Sequence, residues 1–233
     1  MSLNILSKIQ GCLAGAQIGD ALGMPWEMYS SDMIKEETVE KGITGFQDSS
    51  QRRFCKELKL GDSTDDWQLT RALARSIIKT KGYNQKDCAK EFVDEYNRTT
   101  IGWGSTTKKS VEELHLYFQS NGRNGRCPDA PSQSSGSKPA CGNGVAMRIS
   151  PLILFRVACQ LLQQDKSKHP AGILDEIMRH GLMTHADPRA SYAAYALALT
   201  MDFTFKAPRT TTYRNEPIDV NCAFLNRLIN KIT

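Results

Sequence analysis

Apolar residues recur at helical spacing through most of this chain, and that periodicity constrains its fold more than any other feature. Residues 5–23 place Ile5, Ile9, Leu13 and Ala16 on one face. A second helix is predicted after Thr64, with Leu69, Ala72, Leu73 and Ile77 together. A third starts near Asn84 and carries Cys88, Phe92 and Tyr96; a fourth follows Gly104, with Ser105 as candidate cap, and carries Val111, Leu114 and Phe118. Helical spacing returns from Gly142 to Leu162, where Pro151 either kinks the helix or marks its start after Ser150. Residues 171–183 form another helix, and Asp187-Pro188 opens an alanine-rich one from Ala190 to Leu199. A short amphipathic piece surrounds Phe224, Leu225, Leu228 and Ile229. No alternating run suggests a sheet. The expected fold class is all-α, a compact multi-helix bundle, with residues 1–233 as a single domain.

Between these helices lie segments of different character. Residues 24–62 read as irregular and polar, with turns at Gly42 and Gly45, and residues 203–221 also read as irregular. Residues 119–141 are rich in Gly, Ser, Pro and Asn; a loop this long in a compact domain is usually functional or disordered. In the first helix, Gly11, Gly15, Gly19 and Gly23 recur at every fourth position. Each costs a helix roughly 1 kcal/mol relative to alanine. A bare stripe lets another helix or a ligand approach closely, and helix packing is the commoner use.

The net charge of +5 is modest and the basic residues are scattered, so no nucleic-acid stripe is present. The seven cysteines form no CxxC pair; Cys12, Cys88 and Cys159 fall within apolar helical patterns and read as buried free thiols. That usage points to a reducing, cytoplasmic compartment. The start, MSLNILSKIQ, lacks the features of a signal peptide, and no apolar stretch has bilayer-spanning length, so no membrane role is expected.

Five short segments carry possible chemistry. In GDSTDDWQLT, Asp65 and Asp66 adjoin at a helix start. Ser63 with Asp66 resembles a capping box, and first-turn carboxylates suit the helix dipole. The same residues with Thr64 can instead project oxygens toward a hard cation, Mg²⁺ or Mn²⁺. In GDALGMPWE, Glu27 follows a glycine-proline helix end and is either a surface residue or a cleft carboxylate. In GWGSTT, Gly102 and Gly104 flank Trp103 before a helix, as a turn or as a place for close ligand approach. In ACGNGVAMR, Ala140 to Gly144 lead into a helix, and Gly142-Asn143-Gly144 can expose N–H groups to a phosphate or form an ordinary turn. In THADPRA, His185 precedes another helix start, solvated or in contact with a ligand. The cysteines and histidines make no zinc pattern, and no nucleophile elbow or Walker sequence is present.

Taken together and in this order, the five segments resemble the ADP-ribosylglycohydrolase family, over residues 11 to about 199. The resemblance implies an all-α bundle around a binuclear Mg²⁺ or Mn²⁺ site. It implies that Thr64, Asp65 and Asp66 are metal ligands, and that Glu27, Asp65 and Asp66 serve catalysis. Gly102, Trp103 and Gly104 would line an ADP-ribose cleft. The loop Ala140, Cys141, Gly142, Asn143 and Gly144 would wrap the diphosphate and distal ribose, and His185 would touch the ligand. The family's second acidic cluster, of the form DTDT, has no counterpart here; Asp202 and Asp219 are isolated, and the chain reads as short at its C-terminus, with fewer ions than two.

The activity implied is metal-assisted hydrolysis of ADP-ribose from a modified acceptor, with protein arginine foremost. The partners would be ADP-ribose or an ADP-ribosylated protein. Two other classes remain: a catalytically weak ADP-ribose-binding module, and a structural helical protein.

Overall fold

The computed structural model describes residues 2–50, 52, 56–133, 138–162 and 172–206. Its centre is α3 (Asp65–Thr80), which packs against α1 (Ser2–Gly23), α4 (Gln85–Arg98) and α6 (Ser150–Leu161). Leu69, Ala72 and Leu73 are fully buried there, in one cluster with Cys88, Ala89 and Phe92 of α4 and Leu152 and Ile153 of α6. Around this centre stand α5 (Ser105–Gln119), α7 (Ile173–Leu182) and α8 (Pro188–Lys206). A short α2 (Ser31–Glu37) lies outside it. The described residues contain no strand, and the all-α expectation holds.

Local chemistry explains most helix ends. The Asn84 side chain accepts from Asp87 N–H at 2.9 Å and starts α4. Pro151 falls in the first turn of α6, so it starts that helix rather than kinking it. Asp187 opens α8 by accepting from the backbone N–H of Arg189 at 2.9 Å. For α5 the capping position is Gly104, not Ser105. The extended Gly104 backbone turns its N–H toward the Asp65 carboxylate, and Ser105 becomes the first helical residue.

Three segments differ from expectation. α2 falls in a stretch read as irregular; it buries no residue, so hydrophobic spacing could not reveal it, and Ser30 caps it by accepting from Met33 N–H. α8 continues through residues read as irregular, to Lys206. The described part of the 119–141 loop is tied down: Arg126 donates to the carbonyls of Ala130 and Met183 at 2.7 Å each, and Ser132 N–H to Leu182 O at 2.9 Å. The piece around Phe224 to Ile229 and the lone Asp219 lie outside the described residues.

The cysteine expectation holds for Cys88 alone, which is buried; Cys12 and Cys159 are half-buried, because α1 and the end of α6 lie near the surface. Among the described residues, no other helix packs on the glycine stripe of α1. A Cβ built on Gly11, Gly15, Gly19 or Gly23 meets no atom within 4 Å. Among the described residues, no helix is long and apolar enough to cross a membrane.

Leu73 is fully buried and Ile78, on the same helix, is 77% exposed. Leu73→Ala should cost about 2–5 kcal/mol in urea unfolding, and Ile78→Ala within about 0.5 kcal/mol.

Candidate functional site

The N-terminus of α3 is capped from a distance. Asp20, on α1, accepts through Oδ2 from the backbone N–H groups of Thr64 (2.8 Å) and Trp67 (3.0 Å). Its Oδ1 accepts from the Thr64 hydroxyl at 2.8 Å. Thr64 is itself the N-cap residue, and its Oγ1 accepts from Asp66 N–H in a long 3.4 Å contact. Ser63 is therefore not the cap that the Ser63–Asp66 spacing suggests; its carbonyl accepts from the Gln68 amide at 2.8 Å. With Asp20 occupying the helix end, neither Asp65 nor Asp66 has to cap α3.

Both carboxylates face a cavity of about 930 Å³, near the upper end of the ~300–1,000 Å³ of small-ligand sites. Gly15, Gly19 and Gly23 form one wall, which is where the open glycine stripe of α1 leads. Glu27 stands at the rim, exposed, just past the 3-10 turn Met24–Trp26. Gly102 to Thr107, at the start of α5, line the cavity as well. Gly104 brings no side-chain cap to α5, and the Asp65 carboxylate lies at this helix start, on Gly104 N–H and the Thr107 hydroxyl. Asn143, Gly144, Met147 and His185 complete the enclosure.

The GWG segment is shaped as much by packing as by the cavity. Gly102 has φ +80, and a Cβ there would press within 3.1 Å of Thr64 Cγ2. Glycine thus lets this turn lie directly on the cap of α3. The Trp103 indole N–H donates to Gln68 Oε1 at 2.6 Å, locking the ring largely into the core. The GNG loop divides similarly. Asn143 and Gly144 reach the cavity wall, whereas Ala140, Cys141 and Gly142 are not part of it. The Ala140 carbonyl accepts from Asp187 N–H at 3.2 Å, Cys141 is exposed, and Gly142 lies against the His185 ring. A Cβ on Gly144 would fall on that ring.

Residues missed in the sequence complete the site. Asp20 sits in the quoted GDALG segment, and a carboxylate within a stripe of small residues was its available signal. The Thr107 hydroxyl hydrogen-bonds the Asp65 carboxylate. Arg148, the last residue of GNGVAMR, is fully buried behind the cavity and forms no ion pair within 4.0 Å among the described residues.

Negative charge is concentrated at the α3 end. Burial pushes the Asp65 carboxyl up to about 6; Asp66 raises it further, while Thr107, Gly104 and Arg148 oppose the rise. Burial also raises Asp66, and Asp20 and Glu27 add repulsion. Asp20 is raised by burial against its three hydrogen bonds. His185, by contrast, is held down to about 4 by burial and by Arg148, so its imidazole is neutral near pH 7. Among the described residues, no three His, Cys, Asp or Glu side chains converge as a ready metal shell. The oxygen donors of Thr64, Asp65, Asp66 and Glu27, crowded and short of counter-charge, nonetheless have the chemistry of a hard divalent cation's partial shell.

A family model described as ADP-ribosylglycohydrolase matches residues 1–219. The chain is similar to the ADP-ribosylhydrolase ARH3 of Mus musculus, 27% identical over 68% of this chain and 41% of that protein. The likeness to ARH3 of Homo sapiens is also 27%, over 68% of this chain and 42% of the relative. The ADP-ribosyl-dinitrogen-reductase glycohydrolase of Rhodospirillum rubrum is 23% identical over 83% of this chain and 56% of its own length. The chain thus spans roughly half the length of these relatives, or less.

The raised Asp65 acidity has a measurable sign. A carboxyl with a folded value near 6 and an ordinary unfolded value near 3.8 binds more protons when folded, so its contribution favours folding as pH falls from about 7 toward 4. Asp65→Asn should therefore melt higher than wild type at pH 7.5 in EDTA, by on the order of 5 °C, and lose that advantage by pH 4. Paired thermal melts across this range check it; a pH-independent difference would contradict it.

Proposed function

The chain belongs to the ADP-ribosylglycohydrolase family, and from that premise we propose that it hydrolyses the glycosidic bond between ADP-ribose and a modified acceptor. The observation that carries this reading is the clustering of Asp20, Glu27, Asp65 and Asp66 at one end of a ligand-sized cavity whose other walls offer backbone N–H groups and glycines. An anionic diphosphate would lie toward the Asn143–Gly144 turn, because the start of α5 already lies against the Asp65 carboxylate. The reacting ribose would then fall at the acidic end.

Cleavage there develops positive charge on the ribose ring, as in other glycosidic hydrolysis, and the buried carboxylates stabilise it. Glu27, exposed and lining the cavity, is open to solvent and would take the proton of the attacking water. Asp65, held by Gly104 and Thr107, supplies fixed negative charge. Thr64, Asp65 and Asp66 would hold Mg²⁺ or Mn²⁺. Such an ion, when bound, orients ribose hydroxyls and polarises the anomeric centre.

Arginine is the assigned acceptor, because a guanidinium meets the acidic rim formed by Glu27 and Asp66 with complementary charge. The partner is accordingly an ADP-ribosylated protein rather than nucleic acid. The described cysteines are unpaired, which supports a reducing, cytoplasmic setting. A second reading, an ADP-ribose-binding module of weak activity, draws on the lack of a preformed metal shell among the described residues.

The test is release of ADP-ribose from ADP-ribosyl-arginine protein in Mg²⁺. Asp65→Ala/Asp66→Ala should lower the rate by about 100-fold or more, and EDTA should lower the wild-type rate. Equal release by wild type and the double variant would overturn the site. Release from serine-linked but not arginine-linked protein would overturn the acceptor alone. Wild-type binding of ADP-ribose without release from either would favour the binding module.

A further inference from the structure

Arg148 joins the cavity to the core through a chain of hydrogen bonds in which the proton positions can be assigned. The Arg148 side chain is fully buried, with its guanidinium 5.0 Å from the centre of the Phe92 ring. Its Nε–H donates to His180 Nε2 at 2.9 Å, and its Nη2–H to Thr184 Oγ1 at 2.6 Å. Nη1 has no partner. Arginine donates only, so His180 Nε2 and Thr184 Oγ1 must both accept. His180 is therefore neutral with its hydrogen on Nδ1, facing Cys88 Sγ at 3.9 Å.

Thr184 is also fully buried, and among the described residues its hydroxyl has one further partner, His185 Nδ1 at 3.0 Å. A buried hydroxyl proton without an acceptor is costly. The Thr184 O–H accordingly donates to His185 Nδ1, which leaves the imidazole hydrogen on Nε2. His185 lines the cavity beside Gly144, where any side chain would displace its ring.

We infer that Arg148 is a positioning residue: through the Thr184 hydroxyl it fixes His185 as the Nε2–H tautomer, which presents a hydrogen-bond donor to an electronegative oxygen of the ligand. The buried charge of Arg148 also disfavours a protonated His185, so the donor stays a neutral imidazole. The ligand in question rests on the ADP-ribose reading above; the tautomer does not.

The experiment records long-range ¹H–¹⁵N spectra of the imidazoles and titrates ADP-ribose into wild type, Thr184→Val and Thr184→Ser. Wild-type His185 should be predominantly Nε2–H. Thr184→Val should lose that preference and bind ADP-ribose about tenfold more weakly, and Thr184→Ser should restore both. A wild-type His185 that is Nδ1–H overturns the relay, even if Thr184→Val does not fold. So does an Nε2–H preference that survives in folded Thr184→Val. Loss of the preference with unchanged ADP-ribose affinity overturns the positioning role. If wild type binds no ADP-ribose, the proposed function and the ligand role fail together, while the spectra still decide the tautomer.

Discussion

The contact between Asp20 and the first turn of α3 is the constraint on which the site depends. A helix start leaves several N–H groups without intrahelical partners, and nearby carboxylates usually satisfy them. Here a carboxylate from another helix does so, accepting from Thr64 and Trp67. Asp65 and Asp66 are thereby free to face the cavity. The same contact fixes α1 against α3, which sets the open glycine face of α1 along one wall. One interaction between Asp20 and α3 thus positions a wall, a helix end and a pair of carboxylates that line the cavity.

That arrangement carries an electrostatic cost. Burial and mutual repulsion raise Asp20, Asp65 and Asp66 together. Arg148 answers part of it from behind the cavity, through space rather than by an ion pair. The same buried cation keeps His185 neutral. Negative charge at the α3 end and a neutral imidazole at His185 give the cavity two chemically distinct surfaces. Such a division suits a ligand with a cationic reacting centre and a remote anionic group.

The helices were legible in the sequence because most present a regular apolar face to the core. α2 was not, since it buries nothing, and the continuation of α8 to Lys206 was not, since its last turn is largely exposed. In the site, Glu27, Asp65, Asp66, Gly102, Gly104, Asn143, Gly144 and His185 all reach the cavity. Ala140, Cys141 and Gly142 were grouped with them by adjacency, but the turn directs them elsewhere. Asp20 and Arg148 escaped because their roles are made by contacts across long sequence separations. The Asp20–Thr64 pair spans 44 positions and the Arg148–Thr184 pair 36. Local spacing carries the signature of a helix end; it does not reveal that the cap comes from another helix.

The central claim is that the capping of α3 by Asp20 leaves Asp65 and Asp66 to hold a divalent cation beside ADP-ribose. Anomalous diffraction from crystals grown with Mn²⁺ and ADP-ribose tests it most directly. The account predicts a manganese peak at the Thr64–Asp66 end of the cavity, bound by Asp65 or Asp66, with the diphosphate near Asn143 and Gly144 and Asp20 still on the Thr64 and Trp67 amides. Manganese absent from that end while ADP-ribose occupies the cavity, or Asp20 withdrawn from α3, would contradict it.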